Sequence, residues 1–268
     1  MKYLFTIALA ATLFISCNNE TKTQSKAETL APVAVEPETP AKTYPAAMTA
    51  IFDAHGGMKK WNDMNTMSYA LPKEVEEIHT IDLKTRKVRI ETKDYALGFD
   101  GDKVWLKQED STSFNPSRAR FYHNLMFYFY AMPFVLADDG ITYEETKSLE
   151  MDGVTYPGTK ISFGEGVGDA PDDNYIIYHH PETKEMAWLA YTVTYNSKEP
   201  SERYSYIKYA EWENVNGVKL PSKLQWYKVE DGKPTEMRSE RAFTKTSLSE
   251  AKADTALFSK PEGGEFTE

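Results

Sequence analysis

The chain has 268 residues, of which 41% are apolar and 27% are charged, a balance that allows one sizeable hydrophobic core. Its formal net charge of -10 repels phosphate backbones and gains nothing from an anionic membrane surface, so we expect no nucleic-acid partner. Tyrosine is the commonest aromatic residue, with 17 copies, and its polar-tipped ring suits strands, interfaces and half-open pockets.

The first residues, MKYLFTIALAATLFISC, predict a secretory signal peptide. Lys2 precedes an apolar run over residues 3–15 that is too short for a comfortable transmembrane helix. The single cysteine, Cys17, follows a small residue at the end of that run. This resembles a bacterial lipobox, although Phe14 stands where Leu, Val or Ile is usual, and the resemblance implies a lipidated Cys17. We expect a membrane-anchored lipoprotein of the cell envelope, in the outer membrane; the alternative is a plain signal peptide with an incidental cysteine.

Residues 17–44 predict a flexible tether between the lipid and a folded domain. The part from Asn18 to Thr43 lacks aromatic residues and is rich in Thr, Ala, Glu, Lys and Pro. Such a segment cannot bury enough apolar surface to fold. We therefore assign residues 1–16 to the signal peptide and residues 45–268 to one folded domain.

The domain is predicted to open with a helix. Pro45 suits a first helical position, and Met48, Ile51 and Phe52 fall on one apolar face. The Gly-Gly pair after His55 predicts the end of this helix, with His55 in a capping position, and MKKW predicts a second turn or a short helix.

Short strands separated by turn signals follow from residue 66 onward. Val218, Leu220, Leu224 and Trp226 alternate with polar residues, which indicates one packed and one wet face. We expect ten or eleven strands in an α+β, mostly β fold: a curved antiparallel sheet or unclosed barrel. The predicted segments are 75–83, 85–92, 95–99, 103–108, 141–150, 154–164, 174–180, 185–195, 203–212, 218–229 and 235–245.

The stretch FYHNLMFYFYAMPFVLADDG, from residue 121 to 140, interrupts the strands. It is too short and too polar for a membrane span, and Pro133 would break it. Asn115 and the two residues after it predict a helix start. At helical spacing, Phe121, Leu125, Tyr128, Phe129 and Met132 form one stripe, and Tyr122, Met126 and Tyr130 form a second.

A helix that is apolar nearly all round must be covered on more than one side. It either plugs the concave face of the sheet as ordinary core, or it lines or lids an apolar cavity. Tyrosine and methionine favour the cavity, because they tolerate a partly wet pocket and variable ligand shapes. If the helix lines or lids a cavity, Phe121, Leu125 and Phe129 are predicted to face the sheet. The predicted ligand-binding residues are Tyr122, Met126, Tyr130, Phe127, Trp105 and Trp188.

No motif for catalysis, a cofactor or a metal is well supported. Asp169, Asp172 and Asp173 could hold calcium, but the spacing of a calcium loop is absent and a solvated hairpin loop is favoured. The histidines lack zinc-type spacing. His123 could act as a general base beside a pocket, although a satisfied buried histidine explains it more simply. We therefore expect a protein that is not an enzyme and has no cofactor.

Two sets of segments carry a family resemblance. The stretches GFDGDKVWLK and YHHPETKEMAW resemble two hairpins of the LolA/LolB-like superfamily. More closely, AHGGMKKWNDMNTMSY, FYAMPFVLADDGITYE and WLAYTVTY resemble an uncharacterised domain family of Bacteroidota lipoproteins, over most of residues 45 to 246. The first resemblance implies an unclosed barrel that binds acyl chains in an apolar cavity. The aromatic insertion departs from it, and an anchoring lipid is expected only of LolB-like receptors.

These observations lead to one main functional hypothesis and two alternatives. We expect a monomeric envelope lipoprotein whose apolar concave face binds a lipid or a lipoprotein acyl chain, without chemistry. The first alternative is a structural, partner-binding or glycan-binding envelope module with a fully packed core. The second alternative is a hydrolase.

Overall fold

The computed structural model describes residues 42–164, 172–195, 197 and 199–267. The predicted signal peptide, Cys17, nearly all of the tether and Asp169 lie outside these residues. Within the described part, the residues from Thr43 onward form one compact unit.

Two short helices open this unit: α1 (Ala46–Ala54) and α2 (Gly57–Asp63). Pro45 immediately precedes α1, and the predicted apolar face is confirmed because Met48, Ile51 and Phe52 are all buried. His55 ends α1, as predicted, and its Nδ1 lies 2.7 Å from the carbonyl oxygen of Ile51. Burial lowers the pKa of His55 to about 4, so this ring is neutral at physiological pH.

Fourteen strands form two seven-stranded antiparallel sheets in the described chain. Sheet 1 has the order β13-β1-β2-β3-β4-β5-β14. Its strands are β1 (Thr66–Leu71), β2 (Glu77–Asp82), β3 (Val88–Glu91), β4 (Tyr95–Phe99), β5 (Val104–Gln108), β13 (Thr244–Ser249) and β14 (Glu265–Phe266).

Sheet 2 has the order β12-β11-β10-β9-β8-β7-β6, a meander of strands that are consecutive in sequence. Its strands are β6 (Ile141–Met151), β7 (Val154–Phe163), β8 (Asn174–His179), β9 (Met186–Tyr191), β10 (Ser205–Val215), β11 (Val218–Glu230) and β12 (Lys233–Ala242).

The mostly β, antiparallel fold is confirmed, and each of the eleven predicted segments overlaps one of the strands β2 to β12. The predicted alternation in β11 is confirmed as well, since Val218, Leu220 and Leu224 are fully buried. The strand total was underestimated, because β1, β13 and β14 were not predicted. β13 is mostly polar, and it joins sheet 1 only by pairing with the distant β1, with Leu248 opposite Met67.

The aromatic stretch forms α3 (Ala119–Tyr130), which lies between the two sheets. Its predicted start is confirmed: Asn115 Oδ1 accepts the backbone N–H of Ser117 at 3.1 Å in a short 3-10 turn just before α3. Tyr122 reaches sheet 1 at Glu77, and the Phe129 ring lies 5.1 Å from that of Tyr191 in sheet 2. Among the helices of the described ranges, none is long and apolar enough to cross a membrane.

Candidate functional site: an aromatic cavity beside α3

A cavity of about 320 Å³ lies between α3 and sheet 2 and is partly open to solvent. One wall belongs to the helix and the other to the strands and the segment after β9. The helix wall consists of Phe121, Asn124, Leu125, Met126, Tyr128 and Phe129. The facing wall consists of Phe163, Asp173, Tyr175, Tyr191, Thr192, Val193, Tyr195 and Trp226.

Aromatic rings dominate the sheet wall because neighbouring strands place them in register. Tyr175 in β8 is paired directly with Tyr191 in β9, so both rings emerge on the same face. Trp226 in β11 donates its indole N–H to the Tyr191 hydroxyl at 3.1 Å. The result is an apolar surface that carries hydroxyl groups, which suits a ligand with a hydrocarbon body.

The cavity lining includes one carboxylate, that of Asp173. Asp173 Oδ1 accepts two hydrogen bonds from Thr194, at 2.7 Å from the backbone N–H and 2.8 Å from the hydroxyl. Burial raises the pKa of Asp173, and the hydrogen bonds from Thr194 only partly counteract this. Asp173 is the one charged side chain among the described residues that line the cavity.

The structure places one of the six predicted ligand-binding residues, Met126, in this cavity. The stripe of Phe121, Leu125 and Phe129 was predicted to face the sheet; it lies on the side of sheet 2 and also contributes to the cavity wall. Tyr122 and Tyr130, which were predicted to face the ligand, point to sheet 1. The Tyr130 ring packs 4.4 Å from that of Tyr69 in β1, and the Tyr122 hydroxyl donates to Glu77 at 2.7 Å.

The other three predicted residues are buried away from the cavity. Phe127 belongs to the main core, with the Arg86 guanidinium 5.2 Å from its ring centroid. Trp105 is fully buried and donates its indole N–H to the carbonyl oxygen of Phe258 at 2.9 Å. Trp188 packs in a separate small cluster with Leu149 and others, because alternation along β9 turns it away from the face that carries Leu189.

The lining residues of sheet 2 were not predicted to form a site. Strand alternation shows that Tyr175, Tyr191 and Trp226 each share a face with core residues. It does not show that these three strands meet α3. A possible signal was the recurrence of aromatic residues in neighbouring hairpin strands, which favours cross-strand aromatic pairs.

A buried polar cluster occupies the opposite side of α3. Glu77 accepts hydrogen bonds from Lys73 Nζ at 2.6 Å, the Tyr122 hydroxyl at 2.7 Å and the Tyr95 hydroxyl at 2.8 Å. Its Oε2 also lies 3.3 Å from Nε2 of His79. We call these five residues the Glu77 cluster; together they attach α3 to the start of β2.

The Glu77 cluster is ill suited to proton transfer near neutral pH. Burial alone would raise the pKa of Glu77, but hydrogen bonds from His79, Lys73 and Tyr122 outweigh it and lower the pKa to about 2. Burial lowers the pKa of His79 and raises that of Tyr122. Because an ionised carboxylate only accepts, neutral His79 carries its proton on Nε2, and its Nδ1 accepts from the Tyr69 hydroxyl at 3.3 Å.

His123 and Asp172 lie outside the lining of the cavity. His123 is 5% exposed, packs against Phe99 and places its Nδ1 2.5 Å from the carbonyl oxygen of Arg120. It does not line the cavity. Asp172 is exposed, and no group of three metal-ligating side chains is found among the residues that the structure describes.

A second cleft, of about 590 Å³, runs along β5 and β14 and has a more polar lining. Its walls include Gln108, Glu109, Glu265 and Phe266. The cavity beside α3 is the better candidate site, because it combines a predominantly apolar wall with a single charged group among its described lining residues.

An aromatic helix held between two antiparallel sheets, with an apolar cavity on one side, defines a mostly β fold whose interior is partly accessible. The profile of DUF6503, a family of unknown function, matches residues 96–240, and the chain belongs to that family. The matched residues include α3 and every strand that contributes to the cavity wall. No curated protein matches the chain significantly.

Several solved structures are similar at low sequence identity. A LolA superfamily protein from Nitrosomonas europaea has a TM-score of 0.48 at 10% identity, with 79% of this chain and 96% of that chain covered. A DUF1329 family protein from Desulfovibrio piger has a TM-score of 0.47 at 10% identity, with 78% and 96% covered. The lipoprotein LppX from Mycobacterium tuberculosis has a TM-score of 0.24 at 9% identity, with 55% and 85% covered. Similarity at this level carries no information about what this chain binds.

Proposed function

We propose that this protein binds the hydrocarbon chain of a lipid or of a lipoprotein in the cavity beside α3, without covalent chemistry. The observation that carries the proposal is the cavity itself: about 320 Å³, lined mainly by aromatic and aliphatic side chains and partly open. Binding sites for small molecules span about 300–1,000 Å³. The cavity can therefore take part of one acyl chain.

The driving force would be burial of methylene groups. Each buried CH₂ contributes about 0.8 kcal/mol, so a chain segment of several carbons supplies useful affinity even after the cost of ordering the ligand. The alternative of a fully packed module fits less well, because it would require side chains to fill the space that Phe121, Leu125 and Phe129 leave open against sheet 2.

A variant that fills the cavity provides the test. We expect Leu125→Trp to reduce binding of the neutral apolar fluorophore N-phenyl-1-naphthylamine at least tenfold, because the indole occupies ligand space. The domain from residue 43 to 268 would be titrated by fluorescence, and lipid carried through purification would be detected by native mass spectrometry.

Val229→Trp is the matched control for an added indole. Val229 is 39% exposed and is not among the cavity residues, so its substitution should leave binding unchanged. The proposal fails if wild-type protein binds neither the fluorophore nor lipid. It also fails if both tryptophan variants bind like wild type.

The proposed location is the cell envelope, with a lipid on Cys17 and the outer membrane as the destination. The support is the sequence order of a basic residue, an apolar run and the single cysteine of the chain. Several acyl chains on one cysteine would anchor the protein firmly.

Replacing the cysteine tests the anchor. We expect Cys17→Ser to abolish incorporation of radiolabelled palmitate in a bacterial host and to move the protein from the membrane fraction to the soluble fraction. The proposal of an anchor would be abandoned if the variant incorporated palmitate as wild type does.

A further inference from the structure

The charge of the cavity lining restricts the ligand's polar end. We propose that the cavity selects lipids whose polar group donates hydrogen bonds and carries no negative charge, with Asp173 as the acceptor. This inference rests on the proposed lipid-binding function and adds to it the chemical class of the head group. The feature that these lipids share is a hydrogen-bond donor on the polar group. It is either a hydroxyl group, as in a glycerol ester, or an ammonium group.

The first support is the composition of the wall. Among the described lining residues Asp173 is acidic and none is basic. A carboxylate or phosphate group that entered this cavity would leave water and meet a like charge, and both effects oppose binding. A hydroxyl or ammonium group would meet an acceptor instead.

The second support is the geometry of Asp173. Thr194 donates two hydrogen bonds to Oδ1, and the side chain of Thr192 is a further hydrogen-bond partner of the carboxylate. These bonds hold the carboxylate in place at the start of β8, beside Tyr175 in the wall. A half-buried carboxylate whose pKa is raised by loss of water gains from an added hydrogen-bond donor, and a ligand could supply that donor.

Two arginines interact electrostatically with tyrosines of the lining, and their positive charge opposes the rise in tyrosine pKa that burial causes. Neither arginine lines the cavity itself. Arg86 acts on Tyr128, and its Nη2 is already held by both oxygens of Asp138, at 2.7 and 2.8 Å. Arg238, in the edge strand β12, interacts electrostatically with Tyr191.

The experiment compares three ligands with the same twelve-carbon chain: monolauroylglycerol, dodecylamine and laurate. Each displaces N-phenyl-1-naphthylamine from the domain at pH 7.5 and about 0.5 M salt, which screens the long-range effect of the net charge. We expect monolauroylglycerol and dodecylamine to bind at least tenfold more tightly than laurate. The order of the first two distinguishes a hydroxyl from an ammonium ligand.

Asp173→Asn keeps the size of the side chain and an acceptor oxygen but removes the charge. We expect it to narrow the difference between monolauroylglycerol and laurate to less than threefold, mainly by improving laurate binding. The control is Asp172→Asn, which makes the same change in net charge at an exposed neighbour and should leave the selectivity of wild type intact.

The outcomes separate this inference from the function on which it rests. Equal or tighter binding of laurate to the wild type overturns the selectivity, while lipid binding stands. Unchanged selectivity in a folded Asp173→Asn variant overturns the role of Asp173. If none of the three ligands displaces the fluorophore, lipid binding itself fails, and this inference fails with it.

Discussion

Replacing Glu77 by glutamine should lower the free energy of unfolding by about 3 kcal/mol, the usual cost of removing one partner from a buried charge pair. Glu77 is 5% exposed and accepts from Lys73, Tyr95 and Tyr122 at 2.6 to 2.8 Å. Glutamine offers one acceptor oxygen and an amide that itself donates. Half-buried donors would therefore lose their partner.

The measurement is urea unfolding followed by tryptophan fluorescence, with Glu76→Gln as the matched control. Glu76 is the preceding residue, and it pairs with Lys245 at 2.6 Å on the surface, where the two side chains are 38% and 64% exposed. A pair this exposed contributes about 0–1 kcal/mol. Equal effects of the two substitutions would show that the Glu77 cluster does not stabilise the fold.

The same comparison has an expected pH dependence. The pKa of Glu77 is about 2 in the folded protein and 4.5 as the ordinary value, so the folded state favours its ionised form. Its contribution to stability is complete above pH 4.5 and is lost as the pH falls towards 2. The stability difference between wild type and Glu77→Gln should therefore shrink over that range, and a difference that stays constant would contradict the assignment.

Gly98→Ala should destabilise the protein by about 2–3 kcal/mol, the upper range for overpacking a core. A Cβ atom at this position would lie 2.3 Å from Cζ2 of Trp105 and 2.7 Å from the carbonyl oxygen of Val88. Neither neighbour moves easily. Trp105 is fully buried, and its indole N–H is bound to the carbonyl oxygen of Phe258.

Gly153→Ala separates this steric effect from the loss of glycine itself. Gly153 has a φ of +77°, and nothing lies within 4 Å of the Cβ it would acquire, so the substitution should cost only about 1–2 kcal/mol of backbone strain. Adding Trp105→Phe to Gly98→Ala should restore part of the lost stability, which a double-mutant cycle measures. The proposed clash is refuted if the Gly98→Ala variant has the same free energy of unfolding as wild type. It is also refuted if adding Trp105→Phe restores none of the lost stability.

The Glu77 cluster and the cavity lie on opposite sides of α3 and are linked through it. Tyr122 ties one side of the helix to β2, while Leu125, on the other side, forms part of the cavity wall. The bond from Tyr122 to Glu77 therefore helps to set the rotation of the helix about its axis. That rotation decides which aromatic stripe a ligand would meet.

The distribution of apolar residues along the chain was enough to predict α1, α3 and the eleven strands β2 to β12. Alternation such as that of Val218, Leu220 and Leu224 reflects a local rule, because neighbouring side chains of a strand point to opposite faces. Helix ends were predicted for the same reason, since Asn115 and His55 act on backbone groups a few residues away.

The candidate site could not be predicted in this way, because it depends on contacts between distant segments. α3 is apolar on both sides, so its sequence does not indicate which stripe faces sheet 1 and which faces sheet 2. The hydrogen bond from Tyr122 to Glu77, 45 residues away, decides this. The polar Glu77 lies in a strand whose pattern gives no sign that a tyrosine hydroxyl from a helix will meet it.

The amino-acid sequence by itself therefore determined most of the secondary structure, the mostly β class and the presence of an aromatic helix that needs cover on more than one side. The tertiary structure alone decided that β13 pairs with β1, that the strands divide into two sheets and that Asp173 faces a cavity. The physical reason is range: periodicity and capping act over a few residues. A cavity is the space left where segments far apart in the chain pack against one another.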